Sequence, residues 1–157
     1  ETITLKNRFI TIATAKVATS AAEGFQMGVL RKGLDEIVMN QGRRISEAKR
    51  SVIEMYNSGY VMPQQRTDIK VLGRTGLGAL LAGIHVMKEG GYATDHDAFV
   101  AKKLAYVMCG GDLSEQTMVS EQYLLDLERE AFLSLCGEKK SLERIQSVLK
   151  SGRPIRN

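Results

Sequence analysis

The sequence has no tryptophan, two prolines and two cysteines in 157 residues, and aromatic residues make up 6% of it. Each scarcity excludes something. Cys109 and Cys136 cannot build a disulfide framework, and neither belongs to a spacing that would hold zinc. Both end an apolar helical pattern just before a glycine, which reads as two small core residues in a reducing compartment. The two histidines, His85 and His96, stand in no His-x-x-x-His or His–Glu pairing, so a structural role is expected of both. No apolar run approaches the length of a membrane span. No charged-then-apolar leader opens the sequence, so no secretory signal is expected, and a start at Glu1 suits an excised piece of a longer protein.

What is present is ordinary for a soluble protein: 43% hydrophobic and 25% charged residues. The length suits one domain with a moderate core, or a domain plus an extension. The charge is uneven. From Gly137 onward six basic residues face Glu138 and Glu143, a net +4 that equals the net charge of the whole chain. Such a tail is either solvated or meets an acidic partner, a nucleic acid or a phosphate-bearing ligand.

Helical spacing dominates the apolar pattern. Thr4 to Val17 steps by three or four through Leu5, Phe9 and Ile12, although its β-branched content pulls toward strand. Ser20 and Glu23 stand as a capping box before a short helix that Gly28 ends. Short extended pieces are expected at Val29–Leu30 and from Asp35 to Met39. From Arg43 to Asn57, Ile45, Ala48, Val52 and Met55 share a face, and Gly59 stops the helix. Tyr60 to Asp68, with Pro63, reads as a linker. Two further helices run from Thr75 to Lys88 and, capped by Thr94, on to Met108. The last two begin at Ser120 and after Gly137, with Leu127 expected as a core anchor and Gly137 as a left-handed stop. Gly152 and Pro154 close the final helix.

Few residues suggest chemistry. A short strand, Ile69 to Leu72, runs into Gly73-Arg74-Thr75-Gly76-Leu77-Gly78, which could aim backbone amides at a phosphate. The glycine spacing is not G-x-G-x-x-G, and no G-K-[ST] follows, so glycines that let a helix start close to a neighbour explain it better. Glu128 and Glu130 fall on different helix faces and do not converge, and Glu121 and Asp126 read as solvated charges. Ser20 and Ser120 are caps before they are nucleophiles.

Several long strings carry a family likeness: AKVATSAAEGFQMGVL, RTDIKVLGRTGL, AKKLAYVMCGGD, and EQYLLDLEREAFLSLCGEKK followed by RIQSVLKSGRPIRN. Together they resemble the C-terminal region of bacterial multifunctional 3-hydroxyacyl-CoA dehydrogenases of fatty-acid β-oxidation. The resemblance implies a cytoplasmic, mainly α chain with at most short strands. Residues 1–60 would be the end of a crotonase-type (enoyl-CoA hydratase-like) region and residues 61–157 a C-terminal helical domain. In that family the nicotinamide-binding glycines, the catalytic His and Glu and the hydratase oxyanion hole lie upstream, so no catalytic, cofactor-binding or metal residue carries over here. NAD and acyl-CoA are implied for the parent protein alone. The expected role is structural: docking upstream domains of the parent, covering the acyl-CoA region, or forming a subunit contact in a homo-oligomer. Arg153 and Arg156, flanking Pro154, are the candidates to lie near coenzyme A phosphates. The alternative is a freestanding helical module whose basic tail meets nucleic acid or an acidic partner. Neither aromatic interleaving in the tail nor a helix-turn-helix signature speaks for it.

Overall fold

Seven α-helices and two short strands make up the computed structural model, which describes all 157 residues. In chain order they are α1 (Thr2–Ala13), α2 (Ala21–Gln26), a 3₁₀ turn (Gln41–Arg43), α3 (Arg44–Asn57), β1 (Ile69–Val71), α4 (Gly73–Glu89), α5 (Asp95–Met108), β2 (Thr117–Val119), α6 (Glu121–Cys136) and α7 (Lys139–Ser151). The chain is mainly α, as its apolar periodicity predicts. The strand content is smaller and placed differently than expected. β1 forms, but Asp35 to Met39 runs without a ladder partner and is no strand. The partner of β1 is β2, antiparallel, with Lys70 opposite Met118.

The elements gather into two compact units, one of Glu1–Ala15 with Gln65–Asn157 and the other of Lys16–Gln64. A division at residues 60 and 61 would have put α1 with the smaller unit. Instead α1 packs against α4 and α5, because its apolar face supplies Phe9 to their core. That core holds Phe9, Leu80, Ile84, Ala98, Ala105 and Cys109, with Leu5, Leu77, Leu81 and Leu104 packed around it. On α4 the spacing of Leu77, Leu80, Leu81 and Ile84 makes one stripe. On α5 the facing positions are Ala98 and Ala105, small enough for the two helices to approach closely. The loop after β1 is closed by a requirement that only glycine meets. Gly73 has φ +54°, and a Cβ there would lie 2.5 Å from the Glu115 carbonyl oxygen.

Caps set several helix starts. The Ser120 and Thr94 side chains accept from the amides of Tyr123 and Asp97 at the starts of α6 and α5, and Thr94 with Asp97 completes a capping box. At α6 the end differs from expectation: Gly137 has φ −76° and stays right-handed, so the chain turns straight into α7 through Glu138. Gly152, at φ +70°, is the left-handed stop of α7. No helix is long and apolar enough to cross a membrane.

The unit Lys16–Gln64 has a different character. Ser20 caps α2 as predicted, but Glu23 accepts from the Thr19 amide and hydroxyl, one residue before the cap. α3 is laced by Arg50, which pairs with Glu47 and Glu54 at 2.9 and 2.7 Å. Its apolar stripe is as predicted, yet Ile45 and Val52 are 74% and 64% exposed and α3 buries no residue. Gly24 is the one buried residue of the unit.

Candidate functional site

The glycine-rich junction between β1 and α4 spends its leading amides on carbonyls of the chain itself. The Gly73 amide donates to the Cys109 carbonyl at 3.1 Å, and the Arg74 amide to the Leu113 carbonyl at 3.0 Å. The glycines serve close packing, and the phosphate reading falls. His85 lies on the outer face of α4, 3.9 Å from Glu89. Cys109 is fully buried, and burial pushes its thiol up to about 11, away from the thiolate that nucleophilic chemistry needs. No three metal-ligating side chains come together.

The most organised polar cluster joins the start of α5 to α7 and the chain end. Asp97 accepts from the Thr94 amide at 2.9 Å and lies 2.7 Å from Nη1 of Arg144. Burial alone would push its carboxyl up. The Thr94 amide, the Arg144 guanidinium and the Thr94 hydroxyl outweigh that and hold it below the ordinary carboxylate value. Arg144 also donates to the side-chain oxygen of Asn157 at 2.8 Å, and Thr94 donates to the Asn157 backbone carbonyl. Beside them His96, 6% exposed, places Nε2 3.1 Å from Oγ of Ser141 and stacks on Phe99. Burial, with Arg144 and then Lys140 nearby, lowers its pKa. These groups satisfy one another.

The basic tail is seated on this cluster. Arg156 donates to the Tyr92 carbonyl at 2.9 Å and lies 4.0 Å from Asp97. The Arg153 carbonyl accepts from the Ser147 hydroxyl at 2.7 Å, and the Arg153 guanidinium has no acidic partner. Arg153 and Arg156 therefore sit on the same end of the unit, with one cation engaged and one open.

Next to the cluster runs an apolar groove of about 340 Å³. It is lined by Val100, Leu104 and Val107 of α5, Ile12 of α1 and Ala131 and Phe132 of α6, together with the charged Asp97, Lys103, Glu128 and Arg144. Sequence reasoning missed both this groove and the Asp97–Arg144 pair, because the partners lie far apart in the chain. The available signal was spacing: Ser141, Arg144 and Val148 share one face of α7, and a serine and an arginine on an otherwise apolar face imply a polar partner.

The chain is 47% identical over 149 residues to a probable 3-hydroxyacyl-CoA dehydrogenase of Bacillus subtilis (strain 168). That match takes in 95% of this chain and 19% of the relative, so the chain spans about a fifth of the relative's length. No protein-family profile and no solved structure matches the chain.

Proposed function

We propose that the chain is the C-terminal, non-catalytic part of a longer cytoplasmic 3-hydroxyacyl-CoA dehydrogenase of fatty-acid β-oxidation, and that its role is to dock the domains of that protein together. The observation that carries this reading is the state of the unit Lys16–Gln64. Its helix α3 has an apolar stripe with nothing over it, and Tyr60, Val61 and Met62 beyond it are 56%, 80% and 79% exposed. So much apolar surface on a segment with one buried residue marks an interface. Within one long polypeptide the covering surface is the rest of that polypeptide, and the likeness to a much longer relative supports the same reading.

NAD and acyl-CoA belong to this proposal as ligands of the whole protein. The residues here do not fit the dinucleotide: the one strand–glycine–helix junction spends its leading amides on the Cys109 and Leu113 carbonyls. No step of hydride transfer is therefore assigned to this chain. For coenzyme A phosphates, the open guanidinium of Arg153 is the better placed of the two tail arginines, since Arg156 is already engaged. Arg144 and Arg156 are both committed within the unit, which favours docking over nucleic-acid binding.

The test is expression of the longer reading frame beside the chain alone. Oxidation of 3-hydroxyacyl-CoA with NAD should occur with the long protein and stay at background with the chain alone. Val52→Asp in the long protein should lower its stability and its yield of soluble protein, and leave the chain alone unchanged. Turnover by the isolated chain, or a long protein indifferent to Val52→Asp, would overturn the reading.

A further inference from the structure

We propose that residues 153–157 form a clasp that opens and closes about Gly152, held shut by a site on α7 and the cap of α5 that recognises the carboxamide of Asn157. Each end of that carboxamide meets groups of the opposite kind. Its Oδ1 accepts from Nε of Arg144 at 2.8 Å. Its Nδ2 donates to the Lys140 carbonyl at 3.1 Å and to Oε2 of Glu143 at 2.9 Å. The backbone carbonyl of the same residue accepts from the Thr94 hydroxyl at 3.1 Å and from Nη2 of Arg144 at 3.3 Å. Asn157 is also the one residue of the segment that is partly buried. The pattern selects its side chain. Turned over, the amide would face the Arg144 guanidinium donor to donor, and its oxygen would face the Lys140 carbonyl and the Glu143 carboxylate. Aspartate at this position would have the right shape and no donor for those two oxygens. The charge it could offer Arg144 is already supplied by Asp97 at 2.7 Å.

The hinge and the arm are as well defined as the tip. Gly152 ends α7 at φ +70° with nothing within 4 Å of its Cβ position, so the arm swings there without striking a neighbour. Pro154 fixes its own φ and removes one joint from the arm. Beside the hinge the hold is local: the Arg153 carbonyl accepts from the Ser147 and Ser151 hydroxyls at 2.7 and 3.3 Å. Between hinge and tip, Ile155 is 44% exposed and adds little apolar burial. The clasp is therefore held by polar contacts at its tip and not by a core. Closing it orders five residues against hydrogen bonds that are only partly shielded, so it opens without unfolding the rest of the unit. Opening changes the surface. Arg156 leaves the Tyr92 carbonyl and its place 4.0 Å from Asp97, and the basic end then offers two open guanidinium groups, those of Arg153 and Arg156, in place of one. Arg144 keeps Asp97 alone. The clasp holds whatever longer protein the chain belongs to.

Backbone nitrogen-15 relaxation of the full chain tests this at the amides of Ile155 and Arg156. In the wild type both should show order parameters near the rigid-backbone value of about 0.85, like the amides of α7. Asn157→Asp keeps the shape and removes the donor, so both should fall below about 0.6 while α7 keeps its value. Adding Glu143→Gln sets an amide donor opposite the new carboxylate and should restore order toward the wild type. Glu143→Gln alone still offers Nδ2 of Asn157 an acceptor and should leave the segment ordered. Recovery in the double variant is the signature of recognition, because a segment that merely rests on the surface gains nothing from the second change. If Asn157→Asp also loosens α7, Asn157→Ser decides instead, being neutral and too short to reach Glu143, with the same loss of order expected at Ile155 and Arg156. Mobile Ile155 and Arg156 amides in the wild type overturn the clasp. An Asn157 variant as ordered as the wild type overturns the recognition of the carboxamide, as does a double variant no more ordered than Asn157→Asp.

Discussion

Arg144 and Asp97 lie 47 positions apart in sequence, yet Nη1 and Oδ1 stand 2.7 Å from one another, with side chains 20% and 26% exposed. The pair fastens α7 to the start of α5, and Asn157 joins it through Arg144. Removing one partner leaves the other partly buried without its counter-ion, which costs more than the pair itself contributes. Arg144→Ala should therefore lower unfolding stability by about 1–3 kcal/mol, the usual cost of an orphaned polar group. Removing both ends, with Asp97→Ala in addition, should cost less than the sum. Chemical denaturation of the two single variants and the double variant measures this coupling, and strict additivity would show that the pair is solvent-screened.

His96 gives the chain a pH dependence with a definite sign. Its pKa is lowered from 6.5 in the folded state by burial, then by Arg144 and Lys140, against Glu138 and Asp97. The unfolded chain then binds a proton more readily than the folded one, so stability falls as pH drops. The loss begins near 6.5, where the unfolded histidine protonates, and levels off below the lowered folded value. Asp97, held below 3.8, adds its own loss only in a more acidic range. Thermal unfolding midpoints taken between pH 7 and pH 5 should decline for the wild type and flatten in His96→Gln, because the unfolded histidine takes up its proton near the ordinary value while the folded one resists it. A wild-type midpoint level across that window would contradict the burial of a neutral ring.

How much of this was legible depended on the distance over which each feature is decided. Caps are local, so Ser20, Thr94 and Ser120 could be read from their own neighbours, and all three accept the amide three residues on. β2 could not be read: Thr117 to Val119 is three residues long and becomes a strand only by pairing with Ile69 to Val71. The pattern of Asp35 to Met39 is just as β-like, and without an edge to meet it stays irregular. The apolar stripe of α3 was read correctly, but a stripe does not say whether its cover lies in the same chain. The groove depended on α1 joining α5 and α6, a contact between residues about a hundred positions apart, for which local periodicity carries no information.

Two glycines of α4 should respond in opposite directions to the same change. Gly73→Ala puts a Cβ 2.5 Å from the Glu115 carbonyl oxygen and asks alanine to adopt φ +54°. Both effects destabilise, by roughly 1–3 kcal/mol for the backbone alone. Gly78 lies in the helix with ordinary dihedrals and nothing within 4 Å of its Cβ position. Gly78→Ala should stabilise by about 0.5–1 kcal/mol, through helix propensity and lost freedom of the unfolded chain. Urea midpoints of the two variants check this, and a destabilising Gly78→Ala would mean that the exposed face of α4 is covered in solution.

Leu127 is the mid-stripe residue of α6, and the sequence marks it as a core anchor. In the structure α6 buries no residue completely, and Leu127 is mostly covered but keeps some exposure. Its methyls lie 3.3 Å from the position a Cβ would take on Gly111, whose φ of +76° brings the end of α5 against α6. A fully buried leucine cut to alanine costs about 2–5 kcal/mol. Partial exposure reduces the transfer contribution, and an open site refills with water instead of leaving a cavity, so Leu127→Ala should fall at the lower end of that range, about 2 kcal/mol. Gly111→Ala should cost more, because the added methyl meets Leu127 and the backbone must leave its left-handed conformation as well. The two changes should not be additive, since shortening Leu127 relieves the contact that the Gly111 methyl creates. Thermal midpoints of the two single variants and the double variant decide it. A double variant as unstable as the sum of the singles would show that Gly111 is required for its dihedral angle alone, with Leu127 merely resting beside it.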